Sequence, residues 1–135
     1  MKIPRYVSSL PFPFDRIFRG CTFNQHIFIK GSILKDLRSN NPSPESIGIL
    51  LHEQEHRKRI KMHGKWKHAW KFWTSPKFRF QEEIVADTPR MKYLKDHNAV
   101  FNIEKRARHL NGPIYLWCAS FEEAKSKLTD LWNQL

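Results

Sequence analysis

Ser43-Pro44-Glu45-Ser46-Ile47-Gly48-Ile49-Leu50-Leu51-His52-Glu53-Gln54-Glu55-His56 is the stretch on which the reading of this chain turns. Ser43 has the chemistry of a helix N-cap, Pro44 suits the first helical position, and Glu45 puts an acid in the positively polarised first turn. Gly64 supplies the stop. Between these signals Ile47, Leu50, Leu51 and the stem of Lys58 fall along one side of the predicted helix. Ile49, His52, Glu53, His56 and Ile60 fall along the other. A helix apolar on two sides is buried between layers. At about 100° per residue His52 and His56 project from one face and can share a metal ion, with Glu53 close enough to reach a water on it. With seven His and eight Glu in the chain, one accidental HExxH is expected in about 2% of such sequences, so the surrounding pattern has to carry the reading.

Zinc held by two imidazoles needs a third protein ligand and a fourth position for water. The extended motif HExxHxxGxxH would demand glycine and histidine where the chain has Arg59 and Met62. Two sources of a third ligand remain. His63 or His68 follows the motif after a short turn. Alternatively, a second helix entered through Thr74-Ser75-Pro76 carries Phe80, Glu83, Ile84, Asp87, Thr88 and Met91 on one stripe, with Glu82 turned away beside Arg79, Ala86 and Arg90. Two inward carboxylates one turn apart are costly unless a cation or a donor receives them. Zinc can receive Glu83, and the N–H of a zinc-bound imidazole can receive Asp87.

From Ile47 to Asp87 the chain resembles the gluzincins, the peptidase clan of thermolysin and the single-domain minigluzincins, with HExxH on one helix and ExxxD on the next. The resemblance implies a small zincin-like domain that hydrolyses peptide bonds with one zinc ion. His52, His56 and Glu83 would be its ligands, Glu53 the general base and Asp87 the carboxylate orienting His52. Glu82 departs from the Asn common in thermolysin relatives, and the interval from His56 to Glu83 is longer than theirs. His63-Gly64-Lys65-Trp66 resembles part of the SprT-like proteases. That alternative implies a nucleic-acid-associated protease, or a zinc-binding module, with histidine as third ligand. Peptide hydrolysis also needs a donor to the tetrahedral oxyanion. His109 and Tyr115 are the first candidates, with Tyr93 and His97 chemically suitable as well.

A chain of 135 residues fits one domain, residues 1–135, with enough core for independent stability. No stretch approaches a membrane span, and Met1-Lys2-Ile3-Pro4-Arg5 lacks the apolar core of a signal peptide. A cytoplasmic protein with reduced Cys21 and Cys118 is the expectation. A small basic protein of this kind is compatible with a phage or mobile element. Net charge is +11, and no acid interrupts the Lys and Arg residues between Glu55 and Glu82. The basic tract over 57–79 suits acidic segments of a protein substrate, an anionic surface or nucleic-acid phosphates. Trp66, Trp70 and Trp73, at i, i+4, i+7, read as a helical stripe packed under the site rather than as base-stacking platforms.

Elsewhere, residues 1–19 read as a Pro-rich, aromatic lead-in over the core. Gly20 to Lys30 reads as one strand with Cys21, Phe23, Gln25, Ile27 and Ile29 on one face. Such a strand beside the metal helix can bind extended peptide along an open edge, with Phe23, Gln25 and Ile27 as the substrate-binding positions. Thr88-Pro89 should kink or restart the second site helix, with Arg90 to Asp96 still helical. Asn98 is expected to cap a helix running to Leu110, Ile114 to Ala119 is a short apolar run, and Ser120-Phe121-Glu122-Glu123 has capping-box form. The architecture expected is α+β, mainly helical with a small sheet.

Overall fold

The computed structural model describes residues 1–135. Three short strands, β1 (Val7–Ser9), β2 (Gly20–Phe23) and β3 (His26–Ile29), form a sheet ordered β1-β3-β2, with β1 parallel and β2 antiparallel to β3. Six helices follow: α1 (Gly31–Leu37), α2 (Pro44–His63), α3 (Lys65–Thr74), α4 (Pro76–Asp96), α5 (Ile103–Leu110) and α6 (Phe121–Gln134). The molecule is therefore mainly helical with a small mixed sheet, and no helix is long and apolar enough to cross a membrane.

Gly20–Lys30 is a hairpin rather than the single strand expected. Phe23 pairs with His26 across Asn24-Gln25, and Asn24 takes a left-handed φ of 55°. Asn tolerates that conformation better than most residues. The period-2 pattern survives on both arms, so alternation alone could not reveal the reversal. Its consequence is that only β2 lies at the sheet edge next to α2.

Helices α2 and α4 form the centre. Ser43 and Ser75 accept from Ser46 N–H and Phe78 N–H as N-caps, each followed by proline, and Gly64 ends α2 with φ 84°. The two helices run antiparallel. Gly48 lies against Arg90, His52 against Asp87, His56 against Glu83, and Arg59 against Glu82. A Cβ at Gly48 would meet Arg90 Cγ at 3.0 Å, so the missing side chain permits the close approach. One apolar cluster joins β1, β3, α1 and the start of α2 through Val7, Ile27, Ile29, Leu37 and Leu50. A second joins α4, α5 and α6 through Ile84, Met91, Leu110 and Leu128. The polar site lies where α2 and α4 meet between these clusters.

Helix α4 does not restart at Pro89 but runs on to Asp96, so Arg90 to Asp96 is helical as expected, and the Thr88 hydroxyl donates to the Ile84 carbonyl one turn back. Packing on both neighbouring layers outweighs the one N–H that proline lacks. Asn98 does not start α5; at φ 52° it closes the end of α4, and Asn102 caps α5 by accepting from Lys105 N–H. The indoles of Trp66, Trp70 and Trp73 are not packed under the site: they are 79%, 72% and 67% exposed. Helix α3 turns His68 and Phe72 inward instead. Ser120 does cap α6, accepting from Glu123 N–H.

Candidate metal centre

Helix α2 brings His52 and His56 together, and α4 adds Glu83 from the other side. His52 Nε2 and His56 Nε2 are 3.1 Å apart, His52 Nε2 lies 3.3 Å from Glu83 Oε2, and His56 Nε2 lies 3.2 Å from Glu83 Oε1. All three residues are buried, Glu83 at 2% exposure. Two ligands about 2.05 Å from a tetrahedral zinc ion are separated by about 3.3 Å. The closest approaches are of that order, with the two imidazoles facing different oxygens of Glu83, and one donor atom from each residue lies within 4.8 Å of the others, so this buried cluster can hold a metal ion.

The surrounding charges favour a cation at that point. His52 Nδ1–H donates to Asp87 Oδ1 at 2.8 Å, so Nε2 is the ring nitrogen that faces Glu83 and His56. Burial disfavours an imidazolium at His52, but Asp87 and Glu83 outweigh it and push the ring up to about 9. Asp87 is fully buried, which by itself would raise it, yet the Arg106 guanidinium and His52 hold it down at about 2. Glu83 is likewise held well below the usual carboxylate range against the cost of burial, by His56 and His52. Both carboxylates are therefore anionic at neutral pH.

Two contributors were not singled out from sequence. Arg106 of α5 donates from Nε to Asp87 Oδ2 at 2.5 Å, from Nη2 to Glu83 Oε2 at 2.8 Å and from Nη1 to the Tyr115 hydroxyl at 3.0 Å. An Arg 19 residues beyond Asp87 gives no periodic signal; only the buried-charge argument, which demands a donor, points towards one. Thr22 of β2 donates to Glu53 Oε2 at 2.8 Å and so aims the general-base candidate. Gly20 lies against the same carboxylate, and a Cβ there would stand 3.0 Å from Glu53 Oε1.

Glu82, expected to face away, is fully buried along with Ala86 and, nearly so, Arg79. Helix α4 has α2 on one side, α3 on another and the turn at Tyr115 on a third, so the faces carrying Glu82, Glu83 and Ala86 are all covered and Gln81 takes the exposed strip. The Arg59 guanidinium clasps Glu82 through Nε at 2.8 Å and Nη2 at 2.9 Å. Burial raises this carboxyl, but His68 and Arg59 bring it down to about 2. His63 Nε2 and His68 Nε2 stand 3.6 and 3.9 Å from Glu82 oxygens, and neither joins the His52–His56–Glu83 cluster.

A cavity of about 450 Å³ opens onto the cluster, lined by Thr22, Phe23, Trp66, Phe72, Trp73 and Tyr115 as well as His52, Glu53, His56 and Glu83. Of the three substrate-binding positions, only Phe23 lines it. Gln25 is turned to α2, its amide donating to the Arg57 carbonyl and its own carbonyl accepting from Arg57 Nε. Ile27 is in the core. The hairpin reversal removes both from the edge. Tyr115 lines the cavity, and burial pushes its phenol upward despite Arg106, so the hydroxyl stays protonated. His109 lines a neighbouring hollow of about 330 Å³, where partial burial and the Arg106 and Lys105 cations push it down. Tyr93 and His97 stack on each other at 4.0 Å towards the end of α4 and line neither space. Cys21 and Cys118 are free thiols, only Cys118 fully in the core.

Comparison with protein-family models, with curated proteins and with solved structures found no match.

Proposed function

We propose that the protein is a zinc-dependent metallopeptidase of gluzincin type. The observation that carries the reading is the convergence of two imidazole nitrogens and one carboxylate at closest approaches of 3.1–3.3 Å, with Asp87 behind His52 and a cavity in front. His52, His56 and Glu83 would hold the ion. Zinc in such a set lowers the pKa of a water towards neutrality and polarises a carbonyl. Glu53 takes the proton of the attacking water; Thr22 holds Oε2, so Oε1 is the accepting atom. The same carboxyl then delivers the proton to the leaving amine. Tyr115 is the donor to the developing oxyanion, because its oxygen already accepts from Arg106 and its own proton is free for the cavity. Strand β2, at the sheet edge beside α2, offers main-chain groups to an extended peptide, as in a zincin-like site.

The test is Glu53→Gln, assayed on unfolded casein and by elemental analysis. Activity should fall by at least ~10³-fold while zinc stays near one per chain. Full activity in the variant would overturn the assignment. The His63/His68 alternative predicts zinc loss on replacing either histidine; the present reading predicts that Glu83→Ala loses it instead.

A further inference from the structure

The indoles of α3 form a surface that the metal centre does not use. On a helical projection Trp66, Trp70 and Trp73 occupy an arc of about 60°, all with more than half of their surface in water. Lys67 and Lys71 flank this arc on one side and Lys65 on the other, about 60–100° away, and all three are exposed. His68 and Phe72 hold the opposite face of α3 on the protein. Met62, at the end of α2, adds a further exposed apolar side chain just before the stripe.

Three large aromatic side chains exposed along one helical arc mark an interaction site. Its form identifies the partner. Indoles on the crest of a convex helix, with lysines on both flanks, suit a planar boundary: apolar rings sink about 5–10 Å below headgroups while lysine stems reach back to them. No acid lies between Glu55 and Glu82 to repel an anionic leaflet. Single-stranded nucleic acid needs a groove that tracks its backbone, whereas the cavity of the metal centre, which borders α3, is largely apolar. We infer that α3 is an interfacial anchor that seats the protein on an anionic lipid bilayer. Trp66 and Trp73 belong to both the stripe and the cavity wall, and Phe23, also exposed, lies on that wall. Docking therefore brings the cavity to the membrane surface.

The experiment is co-sedimentation of the full chain with phosphatidylcholine vesicles, with and without about 30% phosphatidylserine, alongside tryptophan emission. The wild type should bind only the anionic vesicles, with a blue shift, and release at high salt. Each lysine at an anionic surface contributes about fivefold in partition, so Lys67→Glu/Lys71→Glu should weaken binding at least ~25-fold. Trp66→Ser/Trp70→Ser/Trp73→Ser should abolish both binding and the shift; the lysine pair provides a second readout should this variant fold poorly. No binding to anionic vesicles, or unchanged binding by the lysine variant, overturns the inference. So does saturation of the indoles by a single-stranded oligonucleotide with vesicles inert, which would make α3 a nucleic-acid platform.

Discussion

Replacing Arg106 by methionine should destabilise the protein more than any other single change at the centre. Arg106 is the one guanidinium bonded to both buried carboxylates, Glu83 and Asp87, which it shares with the His52 ring. Methionine retains much of the stem volume and removes all three hydrogen bonds. Breaking one buried ion pair from one side costs about 3–5 kcal/mol, and this guanidinium serves two acids. With about 2.1 cal/mol/K of unfolding entropy per residue, that cost lowers Tm by about 10–18 °C for a chain of this length. Thermal unfolding followed by far-UV circular dichroism, with metal removed by chelator, measures it. Asp87→Asn in the same background should recover part of the loss, because fewer buried charges are then uncompensated. Zinc at about 100 times its dissociation constant should raise the wild-type Tm by roughly 10 °C. A fall under about 4 °C in Arg106→Met, or strict additivity with Asp87→Asn, would refute the charge balance described for the site.

Other consequences are equally direct. Gly20→Ala presses a methyl group against Glu53 Oε1 at 3.0 Å and should lower kcat about 3–10-fold through misalignment, with zinc content unchanged; unaltered kinetics would mean the carboxylate is not held there. Glu82→Gln loses the Arg59 clasp and should cost about 2–3 kcal/mol in urea unfolding while zinc stoichiometry stays constant, separating it from its neighbour Glu83. Burial pushes the Cys21 and Cys118 thiols up to about 11, with Glu53 adding to the effect at Cys21. At pH 8 only about 0.1% of either is thiolate, so both should react slowly with Ellman's reagent until denaturant is added. Rapid native labelling of Cys118 would contradict its burial.

Much of the site was legible before any coordinates because it rests on local rules. Ser43-Pro44 and Ser75-Pro76 set the starts of α2 and α4, and helical spacing then puts His52 with His56 and Glu83 with Asp87. The demand that buried acids be compensated by a cation or a donor is likewise local enough to nominate His52 as the partner of Asp87. Sequence could not say where Gly20–Lys30 reverses, because both arms keep the same alternation and only a left-handed Asn24 marks the turn.

Side chains whose meaning depends on a distant partner came only from the packed chain. Glu82 and Trp66 both lie on helices with several candidate faces: periodicity turned Glu82 off the Glu83 stripe but could not show that its own face is buried as well, and it put the Trp66 stripe inside where it is exposed. Which face is buried depends on how many layers surround a helix, and α4 has neighbours on three sides where α3 has them on one. Arg106 and Thr22 bear on the same grounds: hydrogen bonds spanning 19 to 31 residues leave no period in a sequence. Helix starts and the spacing of metal donors are thus properties of the chain read locally, because a helix repeats every 3.6 residues. Charge compensation, the edge strand and the exposed indoles are properties of the fold, because they arise only when separate helices and strands meet.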